Sequence, residues 1–116
     1  MSDAATSSGL TDVQYDQIIR ETLSRIETTV DRWLDEDVAD IDTARTGGML
    51  TLTLPNRSQL IINAQPPLHE LWLAAKRGGF HFKWDGNQWV DTRSAEEFFA
   101  LLSACASEQF GGALRF

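Results

Sequence analysis

Residues 68–84 read LHELWLAAKRGGFHFKW, and this stretch decides the fold. From His69 to Ala75 the chain alternates, with Leu71 and Leu73 on one side and Glu70, Trp72 and Ala74 on the other. Arg77-Gly78-Gly79 is a turn signal, after which Phe80, Phe82 and Trp84 alternate with His81 and Lys83. Successive side chains of a strand point to opposite faces, so a period of two marks a strand with one face buried. Two such runs joined by a short glycine turn predict an antiparallel hairpin.

Outward from this hairpin, the same period extends from Ile41 to Thr92. Leu50, Leu52 and Leu54 alternate with Thr51 and Thr53 after a turn at Gly47-Gly48. Asn56-Arg57 turns the chain into a strand over Ser58–Ala64, and Pro66-Pro67 ends that strand, since proline cannot donate to a ladder. Asp85-Gly86-Asn87 leads into a last strand over Gln88–Thr92, with Trp89 inward.

A helix is predicted on either flank. Over residues 12–36, Tyr15, Ile18, Ile19, Leu23, Ile26, Val30, Trp33 and Leu34 form one apolar stripe at helical spacing. Thr11 with Gln14 is a capping box in front of it. Ser94 with Glu97 reads as a second capping box, before a stripe of Phe98, Leu101, Leu102 and Cys105, and Gly111-Gly112 is expected to end the order.

Short turns make neighbouring strands antiparallel, and two amphipathic helices can cover one face of such a sheet. The predicted fold class is an α+β two-layer sandwich, with two helices packed on one face of an antiparallel sheet of five to six strands. The other sheet face must meet water or a partner. The chain of 116 residues fits one domain, expected over 11–116, with 1–10 a disordered polar tail.

Cys105 is the only cysteine, which excludes an internal disulfide or a cysteine zinc cluster and suits a reducing cytoplasm. The opening MSDAATSSGLTD has neither a basic region nor an apolar core, so no secretory signal is expected. No apolar run approaches the roughly 20 residues of a membrane span. Net charge is -7, and it is unevenly spread. Residues 1–42 hold eleven acids against three arginines, whereas 43–116 hold six acids and seven basic residues. Such a field repels nucleic acid and anionic membrane and attracts cations or a basic protein surface.

Two features exceed what folding requires. Asp31, Asp35, Glu36 and Asp37 crowd the end of the first helix, and Asp40 and Asp42 follow at the first strand. A helix C-terminus already carries about half a negative charge, so carboxylates there cost ~0.3–1 kcal/mol each. Asp31 and Asp35 add an i,i+4 repulsion. Breaking a local rule this often points to a functional demand, against the plainer reading of a solvated face that aids solubility. Carboxylate oxygens suit hard cations such as iron, manganese, calcium or magnesium. The spacing is not that of an EF-hand, so shallow, weak sites are expected. The second feature is Trp72, which the alternation turns away from the helices if Leu71 and Leu73 face them. An outward tryptophan on a rigid sheet is an interface anchor; a flipped register would make it core. The same parity exposes Thr51, Thr53, Asn63, His81 and Lys83. His69 and His81 read as isolated surface histidines. No nucleophilic triad, P-loop or dinucleotide motif is present, so catalysis is not expected.

The run Asn63-Ala64-Gln65-Pro66-Pro67-Leu68-His69-Glu70-Leu71-Trp72-Leu73-Ala74, followed by Gly78-Gly79-Phe80-His81-Phe82, resembles the sheet signature of the frataxins, in their bacterial, CyaY-type branch. Asp40-Ile41-Asp42, Gly47 through Thr53, and Trp89 fit the same pattern, and the resemblance spans about residues 12–110. It implies the fold already read and a non-enzymatic role: regulating, or donating iron to, iron–sulfur cluster assembly by docking on the cysteine desulfurase and its scaffold protein. It implies weak, reversible binding of ferrous or ferric iron by a ridge of Glu27, Asp31, Asp35, Glu36, Asp37, Asp40 and Asp42. It implies a partner platform of Asn63, Gln65 and Trp72. Thr28 and Arg32 stand where bacterial relatives often carry acids, which thins the ridge. The expected protein is a cytoplasmic monomer that can form oligomers with iron. The alternatives are a ferroxidase that stores iron, for which the Glu-x-x-His pairs of a di-iron centre are missing, and a metal-independent acidic interaction module.

Overall fold

A computed structural model describes residues 9–116, and residues 1–8 of the expected tail lie outside them. Helix α1 spans Asp12–Asp35 and helix α2 spans Phe98–Phe110. Between them run β1 (Asp42–Thr46), β2 (Met49–Thr53), β3 (Gln59–Gln65), β4 (Glu70–Ala75), β5 (Gly78–Trp84) and β6 (Trp89–Asp91). The six strands lie in chain order in one sheet, each antiparallel to its neighbour.

The period of two fixes which face is buried. Leu50, Leu52, Leu60, Ile62, Leu71, Leu73 and Phe82 are all but inaccessible, and they meet Leu23, Ile26, Val30, Phe98, Leu101 and Leu102 of the helices in one core. Burying a side chain of this size is worth about 1.5–3 kcal/mol, so this alternation outweighs weak local preferences. The register places Asn63, Trp72 and His81 side by side on the opposite face. The two-layer sandwich is therefore the one that the alternation predicts.

The Thr11–Gln14 capping box forms in both directions, at 3.1 and 3.0 Å. Gly48 is required by packing, because a Cβ there would stand 2.9 Å from the Cβ of Ala64. The Pro66-Pro67 break becomes one turn of 3-10 helix over Pro66–Leu68, closed by His69 in the left-handed region at φ 52°. The Tyr15 hydroxyl spans this break. It donates to the Glu70 carbonyl at 2.6 Å and accepts from the Gln65 N–H at 2.9 Å, locking the start of α1 to both ends of the β3–β4 connection.

Four sequence expectations need correction. The Ser94–Glu97 capping box does not form: Asp91 accepts from the Arg93 N–H and the Ser94 hydroxyl, which keeps 91–96 in a loop. Glu97 itself caps α2, accepting from the N–H groups of Phe99 and Ala100. Order does not stop at Gly111-Gly112, because Leu114 is buried, Ser107 bonds its backbone, and Phe116 packs edge-on against Trp33. Leu34 leaves the apolar stripe and is 56% exposed, since Trp33 already fills that end of the core. Leu10, assigned to the tail, packs against the core.

Candidate functional site

The acidic ridge is built by the way α1 ends. Glu36 is the C-cap, the Asp37 N–H donates to the Leu34 carbonyl at 3.1 Å, and the Val38 N–H donates to the Trp33 carbonyl at 2.8 Å. This is a Schellman closure, whose left-handed position ordinarily takes glycine. Here it holds Asp37 at φ 60°. A left-handed backbone costs a residue with a Cβ roughly 1 kcal/mol, less for Asp than for most. The chain thus places a carboxylate where both backbone strain and the helix dipole oppose one.

Asp31, Asp35, Glu36, Asp37, Asp40 and Asp42 are all exposed. Their surroundings differ. Glu27 is half-buried and ion-paired to Arg45 of β1 at 2.6 Å, so its charge is neutralised. Glu36 stands 4.0 Å from Arg32. Asp42 pairs with Thr53 across β1 and β2, which puts it on the sheet face turned from the helices. Among the described residues, no three His, Cys, Asp or Glu side chains converge closely enough to hold a metal ion. The donor chemistry suits a hard cation, but the arrangement is a field of separate oxygens rather than a chelate.

The platform is built differently. Trp72 faces away from the helices, as the alternation predicts, but it is half-buried instead of standing free. Its ring lies flat on His81, with centroids 4.0 Å apart and planes within 5°. Its indole N–H donates to Glu70 Oε1 at 2.8 Å, and Lys83 Nζ lies 3.2 Å from Glu70 Oε2. Burial of Glu70 opposes its ionisation, yet the bonds from Trp72 and Lys83 outweigh it and hold the carboxyl below the usual range. Asn63 pairs directly with Trp72, and Gln65 pairs with Glu70 at the edge of the same patch. Beside the ring is a depression of about 200 Å³, bordered by Ile61, Asn63, Ala74 and Gly79.

Neither histidine is isolated. His81 underlies Trp72, and His69 stacks on Tyr15 at 4.9 Å while its Nε2 lies 2.7 Å from Asp12. Glu70, His81 and Lys83 are placed on this face by the sequence alternation but are not among the expected partner contacts. The parity signal was there, because all three share the Trp72 face; their mutual bonding was not legible. A separate cleft of about 410 Å³ between α1 and β6 is lined by Ile18, Thr22, Trp84 and Phe99, and touches neither surface.

The family model for the frataxin-like domain matches residues 8–112. The chain belongs to the frataxin family. It is 57% identical to the iron-sulfur cluster assembly protein CyaY of Polaromonas sp. strain JS666 over 107 residues, covering 92% of each chain. It is 51% identical to the protein of that name from Delftia acidovorans, covering 92% of this chain and 97% of the relative. Among solved structures, the frataxin of Psychromonas ingrahamii matches with a TM-score of 0.75 and 33% identity, over 91% of this chain and 97% of that one. The trimeric frataxin of Saccharomyces cerevisiae, complexed with ferrous iron, shares the fold at a TM-score of 0.66 and 24% identity, over 80% and 85% of the two chains.

Proposed function

We propose that this chain serves iron–sulfur cluster assembly as an iron-binding regulator that docks on a cysteine desulfurase and its scaffold protein. The observation that carries this reading is the end of α1. Asp31, Asp35, Glu36 and Asp37 are exposed there, on a helix terminus that disfavours them, and Asp37 also takes a left-handed backbone. Folding does not require that placement, so a cationic visitor is its natural reason. The names of the CyaY relatives supply the setting, iron–sulfur cluster assembly.

Iron is cargo in this reading. Asp31, Asp35, Glu36, Asp37, Asp40 and Asp42 would attract it as separate carboxylates, giving weak and reversible association. Glu27 contributes least, because Arg45 already holds it. The same field steers a basic partner surface to the ridge, and Trp72 with Asn63 and Gln65 supplies a second contact on the open sheet face. No helix among the described residues is long and apolar enough to cross a membrane. A cytoplasmic monomer that oligomerises with iron is the form proposed.

Sulfide production by the desulfurase, with and without this protein and across a range of ferrous iron, tests the reading. An effect on rate that changes with iron is expected. A rate that ignores the protein at every iron concentration would overturn it.

A further inference from the structure

Glu70 is a buried carboxylate that the core does not need. Only 8% of its surface is exposed, although it lies on the sheet face turned from the helices. Burying a carboxylate costs several kcal/mol unless it is paired. A threonine or glutamine would cover this patch more simply, so what the carboxylate holds is informative. One oxygen accepts the Trp72 indole N–H at 2.8 Å and the other faces the Lys83 ammonium at 3.2 Å. His81 Nδ1 stands 4.0 Å from the first oxygen. Trp72 and His81 are direct partners across β4 and β5, and Glu70 and Lys83 form the next partner pair on that face. The four side chains are thus set by register, and each limits the rotation of its neighbour.

We infer that Glu70 is a positioning residue of the sheet platform: its carboxylate fixes the Trp72 indole flat on His81, so that a partner meets a ring already in place. This rests on the reading of Trp72 as a partner contact. It also narrows the chemistry of that contact. The indole N–H is occupied by Glu70, so an acceptor aimed at it finds no donor. What remains is the edge and outer face of the ring, beside the 200 Å³ depression bordered by Ile61, Ala74 and Gly79. The matching group on the scaffold protein is an apolar side chain. Ordering a side chain before binding removes a cost that would otherwise weaken association by about three- to tenfold.

The test combines docking to the scaffold protein, by calorimetry, with the Trp72 indole N–H resonance, assigned through Trp72→Phe. In Glu70→Ala the resonance should move, its exchange with solvent should quicken, and docking should weaken about three- to tenfold. Glu70→Gln keeps an oxygen for the indole and should recover most of the docking. Glu70→Met, which fills the space without an acceptor, repeats the comparison if Glu70→Ala loses the fold. An unmoved resonance, or full docking with the indole released, would overturn the inference. Equal losses in the Ala and Gln variants would also overturn it, by making Glu70 a charge contact only. Wild-type docking by Trp72→Ala would strike down the platform reading itself, whatever the indole does.

Discussion

The acidic ridge and the sheet platform sit on one small sandwich but are made in opposite ways. On the ridge, six carboxylates stand exposed, and the helix end that carries four of them would be more stable with other residues. On the platform, one buried carboxylate is satisfied by an indole and an ammonium, and an aromatic ring lies fixed on a neighbour. The first surface can act at a distance, through a field that salt screens within about 8–10 Å. The second can act only on contact, through shape. A protein with both can be drawn to a basic surface by one and held in register by the other.

The largest expected effect concerns how firmly the platform is tied to the fold. Burial drives the Tyr15 hydroxyl up to about 12, opposed by the Gln65 N–H and helped by the Glu70 and Asp16 carboxylates. The folded chain therefore keeps a proton that the unfolded chain loses near pH 10. This contribution is full below pH 10 and should fall by roughly 2 kcal/mol as pH rises to 12. Denaturant titrations should show this fall, and Tyr15→Phe should abolish it. An equal fall in the variant would release the platform from α1.

Next is Trp72→Ala, which should weaken docking about thirtyfold at every salt concentration while the fold survives. Global unfolding would place the ring in the core instead. Asp31→Lys with Asp35→Lys should weaken docking about tenfold at low salt, and the difference should shrink as salt rises. Iron titration should weaken in the same double variant while the fold survives. The smallest effect separates stability from function within the ridge. Asp37→Gly relieves a left-handed Cβ and removes a charge from a helix C-terminus, so it should stabilise the chain by about 1 kcal/mol. Iron binding measured by anaerobic calorimetry should weaken in that variant. A destabilised Asp37→Gly would mean that this carboxylate serves the fold.

The layered architecture was legible in the sequence because burial enforces it. Leu71 and Leu73 cannot face water without a cost of several kcal/mol, so their alternation alone fixes the outward side of Trp72. The start of α1 was legible for a local reason, the reciprocal bonds of Thr11 and Gln14. The start of α2 was not. Ser94 and Glu97 have the right spacing, but Asp91 claims the Ser94 hydroxyl from the end of β6, a contact that local sequence does not reveal. The ordered tail after Gly112 was hidden likewise, because Phe116 finds Trp33 across the whole chain. Within the candidate site, the crowding of Asp31 to Asp42 and the outward side of Trp72 could be read. The pairing of Glu27 with Arg45 could not, since it joins α1 to β1. Nor could the Glu70, Trp72, His81 and Lys83 network, which depends on register between β4 and β5.

The most direct test of the division between field and shape is the affinity for the desulfurase–scaffold pair, measured across salt for the wild type, Asp31→Lys with Asp35→Lys, and Trp72→Ala. The ridge variant should bind with a shallower salt slope and converge on the wild type at high salt, while Trp72→Ala should keep the wild-type slope at a constant offset. Parallel slopes in all three, or a slope flattened by Trp72→Ala, would contradict the account.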